Sequence, residues 1–310
     1  MKYLIVGAGG TGGAVGGFLA HAGLDVTLIA RGAHLDAIRK NGLTVKTLAE
    51  TFVVHPGAFT MDEYHDTPDV VFVCVKGYSI PDTVPFLKRI IGKNTIVIPI
   101  LNIYGTGARL QKHLPDNVVT DGCIYIYAQI AEPGIIDINN KIFRVVFGLR
   151  HDTADDIRGN VMPVLNNVAA DLEKANIRAE VSPHIERDAL IKFSFVAPFA
   201  ALGSLYGATA KDMQVGGAYR ETFIAMIKEI MAMGKAESIE LPAQLVEQNL
   251  TIMDKSKPES TTSMQRDIAA GKSSEVAGLV YSVPERCKEL GVASPVYDEI
   301  ADKLKKKLAE

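Results

Sequence analysis

The absences in this 310-residue chain narrow its chemistry first. No sign of charge dominates. Thirty-three Lys and Arg stand against 36 Asp and Glu, a net charge of −3, so the charge balance does not point to nucleic acid or an anionic membrane as a partner. Cysteine is scarce: Cys74, Cys123 and Cys287 are widely spaced and odd in number. They form no CxxC and no zinc pattern, which fits a reducing compartment. Cys74 lies inside an apolar run and reads as a small buried hydrophobe. The seven histidines make no HxxxH or HExxH pair and the acids show no metal-loop spacing, so no metal is expected. There is no GxSxG elbow of a hydrolase. No apolar run suggests a membrane span of about 18 residues or more. The N-terminal apolar stretch breaks straight into glycines without the cleavage region of a signal peptide. A cytoplasmic protein is expected. Internal repeats and low-complexity segments are also missing.

What is present is an ordinary globular composition, 47% apolar and 22% charged, in a chain long enough that two domains are the default. The most informative stretch is the first thirty-one residues. The apolar run at 2–6 passes directly into Gly7-Ala8-Gly9-Gly10-Thr11-Gly12, then a helix-like segment, then a second apolar run ending at Arg31. Strand, glycine turn, helix and second strand in this order form the context a dinucleotide fingerprint requires. Gly7 permits the tight turn, Gly9 lets backbone approach a pyrophosphate, and Gly12 lets the helix close on the strand. Free N–H groups at the helix start attract phosphate. A carboxylate at the end of the second strand would accept from the ribose 2′-OH of NAD. Arg31 stands there instead, and a guanidinium fork suits a 2′-phosphate, so NADPH/NADP+ is the expected cofactor.

Further along, apolar runs at 3–6, 26–29, 70–75 and 95–100 alternate with amphipathic stretches at 11–22, 35–40, 80–91 and 106–113. Such alternation predicts crossover connections and a parallel sheet covered on both faces. Shorter strands are expected at 118–119, 123–130, 135–138 and 143–147, extending that sheet on one edge. After about residue 183 the pattern becomes helical, at 185–205, 217–238, 243–249, 273–290 and 295–308. The expected fold is therefore α/β: a Rossmann-type doubly wound sheet over 1–182, followed by an all-helical substrate and dimerisation domain over 183–310.

Four polar residues stand out from this frame. Lys192 sits at the centre of the apolar helical stretch Ala189-Leu190-Ile191-Lys192-Phe193-Ser194-Phe195-Val196. Burial brings a lysine toward neutrality and makes it a usable proton donor, whereas a lysine that snorkels from a core helix carries no chemistry. Asn102 follows the apolar strand at 95–100, either as a holder of a carbonyl or carboxamide or as a turn residue. Lys76 ends the preceding strand, within reach of cofactor phosphate or ribose, or simply solvated. Glu275 lies in the first turn of an expected helix with Ser273 or Ser274 as cap, a place the helix dipole alone explains.

Taken together these positions resemble the ketopantoate reductase (2-dehydropantoate 2-reductase) family over nearly the whole chain. The glycine opening with Arg31 is similar to its NADPH site. Val75-Lys76, Asn102 with Gly105, Asp121-Gly122 and Glu132-Pro133-Gly134 resemble its successive markers. Lys192 falls where the family places its catalytic lysine. Ser263-Met264 with Asp267, and Glu275 twelve residues after Ser263, resemble its catalytic region. The resemblance implies NADPH-dependent reduction of a 2-oxo acid, ketopantoate to pantoate in pantothenate biosynthesis, in a protein that acts on a small molecule and can form a homodimer. It implies Lys192 as proton donor and Glu275 as the second catalytic residue. Asn102 and Ser263 would bind substrate. Gly7, Ala8, Gly9, Gly10, Thr11, Gly12, Arg31, Lys76 and Asn102 would hold the cofactor.

The chain departs from the family at its polar lining. Val196 stands where an asparagine usually follows the lysine by four, Ala210 and Ser260 replace further asparagines, and Asn102-Ile103 replaces Asn-Gly. The alternatives are a reductase of another carbonyl compound, and an NADP(H)-binding sensor without turnover.

Overall fold

The computed structural model describes Met1–Ala309, which divide into two compact units. One contains Met1–Leu101 and Gly105–Glu186, the other Asn102–Tyr104 and Arg187 onward.

The first unit runs β1 (Lys2–Val6), α1 (Gly10–His21), β2 (Asp25–Ile29), α2 (Gly32–Asn41), β3 (Leu43–Lys46), β4 (Thr51–Val54), β5 (Gly57–Phe59), β6 (Val70–Val73), α3 (Ile80–Ile90), β7 (Ile96–Pro99), α4 (Thr106–His113) and β8 (Val118–Val119). It continues with β9 (Asp121–Tyr125), β10 (Ala128–Glu132), β11 (Ile135–Ile138), β12 (Arg144–Gly148), α5 (Asp155–Lys174) and β13 (Arg178–Val181). Six strands make a wholly parallel sheet in the order β5-β2-β1-β6-β7-β8. Numbered by their sequence within the sheet, they read 3-2-1-4-5-6, the doubly wound order, whose reversal lies between β1 and β6. The expected parallel sheet is thus present. Its strands are buried on both faces: Tyr3, Ile5 and Phe72 face one core, Leu4, Val6, Val71 and Val73 the other.

The mid-chain strands correct one expectation. Only β8 joins the main sheet edge. The others build two further sheets, β10-β11-β3-β4 and β13-β12-β9. The first of these covers α1, which is apolar around its whole circumference. An added Cβ at Gly12 or Gly16 would strike Ile5 on the main sheet. One at Gly13 or Gly17 would strike Ile136 of β11 or Val45 of β3. A helix with glycine on two faces needs a second sheet to cover the second face, and β3 and β11 supply it through the parallel pairing of Ile135 with Thr44 and Asp137 with Lys46.

The second unit is helical: α6 (Ile185–Tyr206, of which the first two residues count with the α/β unit), α7 (Ala210–Gln214), α8 (Ala218–Ala236), α9 (Leu245–Lys255), α10 (Ser263–Ala269), a π-helical turn at Ala277–Tyr281, α11 (Ser282–Glu289) and α12 (Pro295–Ala309). Its core gathers Leu190, Ala197, Phe223, Ile230, Leu279 and Tyr297. At 22 residues α6 is long and apolar enough to cross a membrane by length and composition, contrary to the expectation of no such run. Its apolar window is 61% buried inside the protein, so here it serves as a core helix.

Candidate active site

The α/β unit carries the glycine turn at the carboxyl end of β1. Gly7 has φ +98°, a left-handed conformation, and a Cβ there would also lie 3.0 Å from the Val75 nitrogen. The turn therefore packs directly against Cys74 and Val75, which follow β6. The Ile29 carbonyl accepts from both Gly7 N at 3.2 Å and Ala8 N at 2.9 Å, which ties the turn to the end of β2. A Cβ on Gly12 would sit 2.2 Å from the Gly7 oxygen. Gly9, the N-cap of α1, has open space where its Cβ would be. The first turn of α1 carries no acid. A helix N-terminus that is open at Gly9 and free of acids fits a pyrophosphate.

Arg31 is the N-cap of α2, directly beyond β2, and is exposed. Lys76 is partly buried at the N-cap of a short 3₁₀ turn, and Thr11 is partly buried in the first turn of α1. Burial pushes the Cys74 thiol far up, which makes it an inert hydrophobe. The same unit buries two charged residues, Asp121 and Arg150. Asp121, 6% exposed, accepts from Gly107 N in the first turn of α4 at 2.7 Å. Burial pushes its carboxyl up to about 6, while the Gly107 N–H and the Arg150 and Arg109 charges pull the other way.

The helical unit brings two of the expected residues together. Lys192, partly buried on α6, donates from Nζ to Asn102 Oδ1 at 2.6 Å. The hydrogen bond pins a flexible ammonium to a fixed amide, and the amide in turn is fixed by its neighbours. Ile103 is buried beneath Gly278 of the π-helical turn, where an added Cβ would lie 2.3 Å from Ile103 Cδ1 and 2.7 Å from Cγ1. Tyr104 rests beside Phe193, ring centroids 6.0 Å apart, and donates to Glu237 at 3.0 Å. Glu237 also accepts from Arg286. Three consecutive residues thus lock onto α6, the π-helical turn and the end of α8.

Glu275 is 5% exposed and lies just ahead of the π-helical turn, its carbonyl accepting from Leu279 N at 2.9 Å. The expected serine cap is absent: the chain bends at Glu275 and turns helical at Val276. Ser263 opens α10, which Thr262 caps by accepting from Gln265 N at 3.3 Å. Among the departures, Val196 lies one turn beyond Lys192 on α6. Ala210 and Ser260 are neighbours through Ala210 N, which donates to the Ser260 carbonyl at 3.1 Å. Two missing amides therefore fall at one place. Sequence reasoning marked Ile103 only as a departure from the family's Asn-Gly pair and missed its partner Gly278, because a β-branched residue beside an asparagine and a helical glycine carry no joint signal.

The ketopantoate reductase PanE/ApbA family model matches residues 3–151, and the model of its C-terminal domain matches residues 184–308. An uncharacterized oxidoreductase, YkpB of Bacillus subtilis, is 29% identical over 97% of this chain and 96% of its own. A 2-dehydropantoate 2-reductase of Mesorhizobium japonicum is 25% identical over 97% of this chain and 95% of its own. In fold, the chain is similar to a D-mandelate dehydrogenase solved with NADH and anilino(oxo)acetate, with a TM-score of 0.90, 19% identity, and coverage of 100% and 99%.

Proposed function

From the premise that this chain belongs to the ketopantoate reductase family, oxidoreductases acting on CH–OH groups, we propose that it reduces a 2-oxo acid to a 2-hydroxy acid with NADPH, and that ketopantoate is the substrate. The observation that carries this reading is the Lys192–Asn102 hydrogen bond of 2.6 Å. A lysine that merely snorkelled to water would need no such amide partner.

NADPH, when bound, supplies the hydride. The chain supplies the rest. The open N-terminus of α1 receives the pyrophosphate, with Gly7 and Gly12 letting the turn close tightly enough to present its N–H groups. Arg31 takes the 2′-phosphate. Lys192 gives a proton to the oxygen that becomes the new hydroxyl, and its charge stabilises that oxygen as negative charge develops on it. Asn102 holds the ammonium in one rotamer. Ser263 binds the substrate carboxylate, and Glu275 accepts from a distal hydroxyl.

The polar lining favours a second reading of the substrate. Val196, Ala210 and Ser260 remove amides that would hydrogen-bond a hydroxylated substrate, and sites built to bind a hydroxyl discriminate by far more than apolar pockets do. A more apolar 2-oxo acid is that second reading, and the fold it shares with a D-mandelate dehydrogenase is compatible with it.

The test is NADPH oxidation against ketopantoate, 2-oxoisovalerate, benzoylformate, pyruvate and oxaloacetate, with NADH as control. Highest kcat/KM with ketopantoate supports the first reading. Highest kcat/KM with 2-oxoisovalerate or benzoylformate supports the second. Tight NADPH binding without turnover of any of them overturns both.

A further inference from the structure

His34 lies on α2, three residues after Arg31, and both its ring nitrogens are engaged. Nδ1 accepts from the Gly134 backbone N–H at 2.9 Å. A nitrogen that accepts an N–H carries no proton, so the proton is on Nε2, which donates to the Ala8 carbonyl at 2.9 Å. One imidazole thus spans the glycine turn and the β10–β11 turn, 26 and 100 residues away in sequence. The β10–β11 turn is itself fixed. Its Gly134 carbonyl accepts from Thr44 N at 2.9 Å, and a Cβ on Gly134 would touch Ala37 of α2 at 3.0 Å. The start of β10 closes from the other side, with the Ala128 carbonyl so near Gly10 that a Cβ there would lie 2.4 Å away.

The consequence lies in the peptide plane. The Ala8 oxygen and the Gly9 N–H belong to one trans peptide, so they point in opposite directions. Holding the oxygen on the His34 side aims the Gly9 N–H away from it. Gly9 is the N-cap of α1, and its N–H is one of the four that the helix cannot satisfy internally.

We propose that His34 is a positioning residue for the cofactor: its neutral ring, anchored on Gly134, fixes the Ala8–Gly9 peptide so that the Gly9 N–H is preset for the pyrophosphate. The proposal rests on the reading of this unit as an NADP(H) site. Burial holds the imidazole pKa below its ordinary value, which agrees with a ring kept neutral between two backbone groups.

The experiment compares two probes by calorimetry. NADPH carries the pyrophosphate, whereas adenosine 2′-monophosphate carries the 2′-phosphate without it. His34→Ala is expected to weaken NADPH about tenfold, the worth of one hydrogen bond to a charged group, and adenosine 2′-monophosphate less than about twofold. In the steady state the KM for NADPH rises while kcat at saturation holds. Equal weakening of both probes overturns the proposal, because a merely structural histidine would loosen α2 and Arg31 with it. Unchanged NADPH affinity overturns it as well. Nitrogen-15 NMR of the wild-type histidines provides a check that does not depend on the variant folding. Protonated Nε2 with bare Nδ1 is expected, and the opposite tautomer overturns the proposal. A wild-type protein that binds neither probe defeats the NADP(H) reading itself, a result distinct from a wild type that binds and a variant that is indifferent.

Discussion

At the scale of single residues, Lys192 is the position on which most depends. Lys192 is the one charge in the apolar stretch of α6 from Ala189 to Tyr206, and Asn102 holds it at 2.6 Å. Lys192→Ala is expected to lower kcat by about 10²–10⁴-fold, the range of a general acid, with NADPH affinity almost intact. Equal loss of turnover and binding, followed by fluorescence titration, counts against the acid role. Arg31→Ala should weaken NADPH far more than NADH, since only NADPH offers a 2′-phosphate to the fork. Uniform loss would show that Arg31 reads something else. These residues were legible because each breaks a local pattern: a charge in an apolar run, an arginine where an acid would suit NAD, glycines at fixed spacing. His34 and Gly278 break none, and Ile103 stands out only as the residue in place of a glycine. Their partners lie 26 to 175 residues away, and only the folded chain brings them together.

Elements show the same division between local and distant causes. Strong periodicity placed α1, α3, α4, α6, α8 and α12 within a few residues of their observed bounds, because burial of one stripe or of a whole helix is written in consecutive residues. The short α7 and α10 have too few residues for a period to appear, and β3 and β4 alternate over only four residues each. The place of β10 and β11 off the main sheet has a tertiary cause, the second glycine face of α1. The π-helical turn at Ala277–Tyr281 is likewise tertiary: it sets Gly278 against Ile103, and π-turns often mark functional sites. Gly278→Ala must displace Ile103 and, through the chain, Asn102. The expected outcome is a fall in kcat together with about 1–3 kcal/mol of overpacking. Adding Ile103→Ala makes room and should restore part of both. The double-mutant cycle in kcat and in denaturant midpoint reads the coupling, and strict additivity would mean that the two residues act independently.

For the whole molecule, the sequence carried the doubly wound sheet and the all-helical second half. It gave no hint that Asn102–Tyr104 would leave the strand and count with the helices. Sequence neighbours on both sides belong to the α/β unit, and only the contacts of Asn102, Ile103 and Tyr104 assign them otherwise. Stability carries a comparable tertiary signature at Asp121, whose folded carboxyl is pushed up to about 6 from an ordinary value of 3.8, first by burial. Below pH ~4 both native and unfolded chains hold the proton. Between ~4 and ~6 the unfolded chain has released it and the native state has not, so stability falls as pH rises through that window. One proton sets the slope at no more than about 1.4 kcal/mol per pH unit, and the effect levels off above the folded pKa. Asp121→Asn retains an oxygen to accept from Gly107 N but cannot titrate. Other groups titrate in both proteins, so the informative quantity is the difference between them. Denaturant unfolding at half-unit steps from pH 4.5 to 7 should show the wild type losing stability relative to Asp121→Asn up to about pH 6 and running parallel to it above. Parallel curves throughout would mean that the native carboxylate titrates at its ordinary value, with Gly107 N–H and the neighbouring arginines fully offsetting its burial.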